Sequence, residues 1–254
     1  MRIFIPTRGR ERQRTVERLP KNVHGKYRTT LVAPRAEAKG LKLHGVEVLP
    51  CPAEGIAATR QWILNKSDDP VVLMLDDDLP IWCVRVGDTN GYRRAEDKDI
   101  EHNFSLFAKL MSGFAHGSIG HRLFCHLHPP VYYNNRMLRA LAYNIHRMPD
   151  GVKFRLPVME DFDMALQLLT HGKDAAIFNM MVQDQYATNT TGGCSSYRTP
   201  ELQSKCAEKL QEFWPDYVKL TRRAPQREWC GFGKERVDVR INWGRAAKEG
   251  GCTK

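Results

Sequence analysis

The sequence predicts an α/β protein with a mostly parallel sheet flanked by helices. Two observations predict this. Short apolar runs ended by proline or charge alternate with helical periodicities, the order expected of crossover connections. One such run, Val71 to Leu75, passes directly into Asp76-Asp77-Asp78, as at the carboxyl end of a buried parallel strand, where ligands of open sheets bind.

The elements follow in order. Met1 to Ile5 reads as a buried strand broken by Pro6-Thr7-Arg8-Gly9. Arg28 to Ala33 and Val46 to Leu49 are further strands, ended by Pro34 and Pro50. Glu54 to Asn65 fits a helix, with Ile56, Trp62 and Ile63 for its buried face. Asp99 to His116 carries Ile100, Phe104, Phe107, Met111 and Phe114 at helical spacing, a core-packing stripe. Asn135 to Arg147 reads as helix on Leu138, Leu141 and Ile145. Met159 to His171 is a third helix stopped by Gly172, followed by a strand near Ala175 to Met181. Thr188 to Thr199 reads as loop, and Glu201 to Arg223 as helix interrupted by Pro215. Residues 1–223 are expected to form one domain. Residues 224–254 are expected to be an irregular basic extension packing on or extending it.

Composition limits the possibilities. The 254 residues are 42% hydrophobic and 27% charged, ordinary for a globular chain. The formal charge of +10 favours polyanionic partners. Seven scattered cysteines with no C-x-x-C pair argue against a disulfide framework or zinc ribbon and for a reducing compartment. Cys125, His126 and His128 cluster, but packing explains them without a second ligand pair. No signal peptide or membrane span is visible, so the expected location is cytoplasmic, the host cytoplasm for a phage-encoded chain.

The chemistry concentrates in two acidic clusters. Three adjacent carboxylates after an apolar strand suit a divalent cation such as Mg²⁺ or Mn²⁺; the alternative is an acidic turn that caps the next helix. Glu160-Asp161-Phe162-Asp163 opens a helix, where carboxylates suit the macrodipole and one could serve as a general base. Arg8, Arg10, Arg35 and Arg60 are available for phosphate, although a solvated surface also explains Arg10. No Walker loop or G-x-G-x-x-G fingerprint is present, which argues against P-loop kinases and dinucleotide enzymes.

Ile3 to Arg10 resembles the opening strand and nucleotide loop of GT-A-fold glycosyltransferases. Gly55 to Arg60 is similar to the helix that follows, Leu73 to Asp78 to their D-x-D motif, and Glu160-Asp161 to the pair that supplies the base in inverting members. Tyr143-Asn144, Glu160 to Met164, Gly192-Gly193 and Arg198 resemble most the bacteriophage TET-associated glycosyltransferases that decorate modified DNA bases. This resemblance implies a GT-A, Rossmann-like fold and a nucleotide-sugar donor, a UDP-sugar first, held by Pro6, Thr7, Arg8, Arg35, Gly55, Arg60, Asp76 and Asp77. It implies Mn²⁺ or Mg²⁺ on Asp78 and Asp76, and Asp161 as base beside Glu160. The family's further histidine ligand, late in the domain, has no assigned counterpart here. Gly192, Gly193, Arg198, Arg222 and Arg223 are the expected acceptor side, the acceptor being 5-hydroxymethylcytosine or a related base in phage DNA. The competing readings are a polysaccharide, lipid or protein acceptor, a metal-dependent nuclease or phosphoryl transferase, and a non-catalytic basic DNA-binding module.

Overall fold

A computed structural model describes residues 1–10, 12–41, 45–185, 193, 197–224 and 235–254. Strands β1 (Arg2–Pro6), β2 (Thr30–Pro34), β3 (Glu47–Cys51) and β4 (Val71–Leu75) form a parallel block. Between them lie α1 (Arg14–Arg18), α2 (Lys21–Lys26), α3 (Arg35–Ala38) and α4 (Ile56–Lys66). The chain continues through β5 (Ile81–Arg85), β6 (Tyr92–Arg94), α5 (Asp97–Met111), β7 (His116–His121), β8 (Val131–Tyr133) and β9 (Ala140–Asn144). It ends with α6 (Glu160–Thr170), β10 (Ala175–Asp184), α7 (Pro200–Phe213), β11 (Val218–Arg223), β12 (Arg236–Ile241) and α8 (Trp243–Gly250).

The main sheet runs β3-β2-β1-β4-β9-β7-β10-β5-β6, with β8 also on β10. Among the described residues, β5, β8 and β9 oppose the direction of the other strands. Strand alternation divides the core. Ile3, Ile5, Leu73 and Leu75 face Trp82 and the α5 residues Phe104 and Phe107. Phe4, Val72 and Met74 face Ile63 of α4 with Met164 and Leu168 of α6. Burial on both faces is why β4 reads as an unbroken apolar run.

Four sequence expectations need correction. The helix expected to reach His116 ends at Met111, because His116 begins β7. That strand, His-Gly-Ser-Ile-Gly-His, has almost no apolar signal. Glycine serves it sterically: a Cβ on Gly117 would lie 2.4 Å from the Ala176 carbonyl oxygen. The helix expected over Asn135 to Arg147 is instead β9, preceding a 3₁₀ turn at Ile145–Arg147. All five β9 residues are buried between β4 and β7, so sheet pairing overrides a short periodicity that fits either structure.

The helix expected to reach Arg223 stops at Phe213, just before Pro215, and residues 218–223 form β11. β11 pairs antiparallel with β12, Val218 opposite Ile241. Residues 236–250, expected to be irregular, are thus a strand and a helix, and the hairpin crosses the boundary expected at 223. Thr188 to Thr199 falls mostly outside the described residues. Helix α8 shares its core with α6: Ala246 lies in the same cluster as Leu166, and Ala247 in that of Leu169.

Gly250 makes that docking close, since a Cβ there would lie 2.1 Å from the Leu169 carbonyl oxygen. Gly250→Ala must therefore displace α8. Urea denaturation should show a lower midpoint and a loss of about 1–3 kcal/mol. An unchanged midpoint would mean that α8 contributes nothing to the fold.

Candidate active site

The carboxyl ends of β1 and β4, the start of α4 and the start of α6 surround a cleft of about 540 Å³. Its lining includes Pro6, Thr7, Arg8, Gly55, Arg60, Asp76, Asp77, Asp78, Glu160, Asp161, Gly193 and Arg198. The expected motifs, far apart in sequence, therefore meet. Arg35 is exposed on α3 and does not line the cleft; Arg222 and Arg223 are exposed on β11 and do not line it either. Gly192 lies outside the described residues.

The three aspartates have different surroundings. Asp77 turns inward, accepting from Thr7 Oγ1 at 2.7 Å and Arg10 Nε at 3.0 Å. Asp78 accepts from Arg10 Nη2 at 3.0 Å. Arg10 is thus a structural cation for the triplet. Thr15, fully buried, staples the loop: its N–H donates to the Asp77 carbonyl at 3.2 Å, and its Oγ1 accepts from Leu79 N–H at 2.9 Å. Gly193 closes over this region. Its N–H donates to the Arg8 carbonyl at 2.7 Å, its φ is +61°, and a Cβ would sit 3.2 Å from Arg10 Nη2. The residue expected on the acceptor side therefore packs against the first loop.

Arg60 joins the two acidic motifs. Its Nη1 donates to Glu160 Oε1 at 2.6 Å and its Nη2 to Asp76 Oδ1 at 3.1 Å. Burial pushes Asp76 up to about 6, with Arg60 pulling it down and Asp78 adding repulsion. Burial likewise raises Glu160 and Asp78. Gly55 starts α4 at φ +79°, and the Ile56 N–H behind it donates to the Tyr197 hydroxyl at 3.1 Å.

The carboxylates of α6 also diverge. Asp163 is fully buried, accepting from Arg155 Nε at 2.8 Å and Trp214 Nε1 at 2.9 Å, and so clamps α6 to α7. Glu160 is held by Arg60. Asp161 lines the cleft, accepts the Phe162 N–H at 3.0 Å and has no ion pair with a described residue. Met159, which precedes the helix, has φ +61°, a left-handed conformation unfavourable for its side chain. That turn starts α6 at the cleft wall.

On the opposite wall, the basic His121, Arg136, Arg139 and Arg236 are residues of the kind that the sequence offers for nucleic acid, whereas Leu123, Phe124, Gln203 and Asp238 carry no sequence signal. Arg139 has φ +61° and places Nη1 2.7 Å from His121 Nε2 and 3.4 Å from Asp184 Oδ1. Burial, then Arg139, pushes His121 down to about 4, so it is neutral near pH 7. Among the described residues, every cation lining the cleft is an arginine, never a lysine. Planar guanidinium groups suit bidentate phosphate recognition. Arg136 and Arg139 stand out in the sequence as basic residues suited to nucleic acid, but the segment reads there as helix, and the structure makes it the approach to β9.

Residues 1–193 match the model of the TET-associated glycosyltransferases. The chain belongs to that family, and it is a glycosyltransferase. Its α/β architecture is the GT-A fold. Residues 1–349 of S. aureus TarS, solved with UDP-GlcNAc, superpose with a TM-score of 0.51 at 13% identity, covering 83% of this chain and 67% of that one. A mycobacterial protein superposes with a TM-score of 0.50 at 11% identity, covering 97% and 87% of the two chains. No curated protein matches the sequence. The TET-associated glycosyltransferase match ends at 193, yet Tyr197, Arg198, Gln203, Arg236 and Asp238 beyond it complete the cleft.

Among the described residues, no three His, Cys, Asp or Glu side chains converge on a common point for a metal. Cys125 is buried beside Cys83, and His128 stacks on Tyr132, so that cluster is packing. Asp76 and Asp78 do fit a hard cation of the kind held by one or two carboxylates with substrate phosphates completing its shell. Among the described residues, no helix is long and apolar enough to cross a membrane.

The raised Asp76 gives a signed expectation. A carboxyl whose folded value exceeds its unfolded one stabilises the fold while protonated, and that stability is lost as pH rises through about 6. In chelator, Asp76→Asn should melt above the wild type at pH 7.5, with the gap closing below about pH 4. A gap independent of pH would mean that the fold does not raise this carboxyl.

Proposed function

We propose that this glycosyltransferase moves a sugar from a UDP-sugar to the hydroxyl of 5-hydroxymethylcytosine, or a related hydroxymethylated base, in DNA, with inversion at the anomeric carbon. The observation that carries the mechanism is Asp161: a cleft carboxylate, unpaired with any described cation, beside a neighbour that Arg60 immobilises. The hydroxyl oxygen attacks the anomeric carbon, Asp161 takes its proton, and the bond to the diphosphate breaks with its electron pair leaving on the nucleotide. A single base with in-line displacement gives inversion.

The donor side is the wall of Pro6, Thr7, Arg8 and Gly55, with Asp76 to Asp78. The UDP-GlcNAc bound to the similarly folded TarS supports this donor class. Mg²⁺ or Mn²⁺ would be held by Asp78 and Asp76 and would neutralise charge on the departing diphosphate. Arg8, exposed at the cleft mouth, adds positive potential to the same side.

The acceptor side is the wall of Arg136, Arg139, Arg198 and Arg236. DNA is supported by the family's association, by the +10 charge and by this arginine lining. Arg222 and Arg223, exposed on the hairpin that carries Arg236, would extend the phosphate contacts outside the cleft.

Asp161→Asn tests the mechanism. Transfer should fall by about 10²–10⁴-fold while calorimetry finds UDP-sugar binding within a few-fold of wild type. Normal transfer by this variant would move the base elsewhere.

A further inference from the structure

The loop that follows β7 presents apolar side chains to solvent at the rim of the cleft. Among the described residues, seven large hydrophobics are exposed, and Leu123, Phe124 and Leu127 place three of them here. Leu123 and Leu127 are 64% and 66% exposed. Leu123 and Phe124 also line the cleft, so the patch and the acceptor wall are one continuous surface.

The loop is firmly built beneath these side chains. The buried Asn179 amide donates from Nδ2 to three of its carbonyls, Cys125 at 2.8 Å, His128 at 3.2 Å and Pro129 at 3.2 Å. Arg85 Nη1 donates to the His128 carbonyl at 3.0 Å, and Cys125 is buried with Ile81, Cys83 and Val182. His128 stacks on Tyr132 with ring centroids 4.0 Å apart. The backbone is thus secured from within while leucines point outward.

Charge selects the partner. From His121 to Tyr133 there is no Asp or Glu, and Arg122 lies directly before Leu123. A rigid apolar tip flanked by arginine suits a base stack flanked by phosphates. We propose that Leu123 and Leu127 form a wedge that enters duplex DNA and fills the gap left when the acceptor base swings into the cleft. This rests on the DNA reading above. A base inside a duplex cannot bring its hydroxymethyl group to Asp161 without leaving the stack. Apolar side chains inserted at the opened step are a known physical means of holding it open.

The test uses matched hydroxymethylcytosine oligonucleotides, duplex and single-stranded, with 2-aminopurine beside the acceptor. Without donor, wild type should raise 2-aminopurine fluorescence in the duplex, and Leu123→Ser/Leu127→Ser should not. Leu127→Ser should lower kcat/KM on the duplex about tenfold or more and leave the single strand unchanged. Variants that match wild type in fluorescence and duplex transfer overturn the wedge and leave the acceptor assignment standing. A wild type that modifies neither form and raises no fluorescence defeats the acceptor assignment, and the wedge with it. A wild-type dimer that Leu127→Ser dissociates, with duplex transfer unchanged, would give the loop to a second copy of the chain.

Discussion

Arg60 sits desolvated between Glu160 and Asp76, and through it the end of β4 is fixed to the start of α6. A buried guanidinium is tolerated only where carboxylates face it, here Glu160 foremost at 2.6 Å. Arginine suits the position better than lysine because its planar fork can address two carboxylates at once. Glu160 is thereby held in the cleft wall, while Asp161, the next residue, faces the cavity without an ion pair to a described residue. Arg10 does the same on the other flank, holding Asp77 and Asp78 to the first loop. Two arginines thus order the acidic centre before any ligand arrives.

Backbone strain follows the same pattern. Met159 and Arg139 are two of the four non-glycine residues with positive φ among those described, and both line the cleft. One precedes the Glu160-Asp161 pair; the other sets a guanidinium against His121. Their unfavourable conformations persist because buried neighbours over-determine them. Beyond the family-matched segment, α7 and β12 contribute Gln203, Arg236 and Asp238. The part of the site with the least family precedent is thus on the wall proposed for the acceptor.

The sequence made the donor half of the site legible, for a physical reason. A strand buried on both faces must be uniformly apolar, so Val71 to Leu75 and the aspartates that end it stand out. Gly55 and Gly172 mark a helix start and a helix stop through their positive φ. The strands that carry the proposed acceptor half were hidden because their signals are weak. His-Gly-Ser-Ile-Gly-His is buried through close backbone approach rather than apolar side chains. Ala-Leu-Ala-Tyr-Asn fits helix and strand alike until its sheet neighbours are known. Arg10 reads in sequence as a phosphate contact or a solvated cation, and only tertiary structure brings it to Asp77 and Asp78. The hairpin of β11 and β12 was missed because each strand packs on α7, an interaction with no periodic signature.

The central claim is transfer of sugar to a hydroxymethylated base in DNA. Its most direct measurement is mass spectrometry of digested DNA after incubation with the protein, Mn²⁺ and a panel of nucleotide sugars. Plain, 5-methylcytosine and 5-hydroxymethylcytosine substrates would be compared. The account predicts a mass gain of one sugar on the hydroxymethylated base alone, with a UDP-sugar as donor. No gain on any DNA, with UDP-sugar binding intact by calorimetry, would contradict the acceptor assignment and leave a GT-A glycosyltransferase of different acceptor.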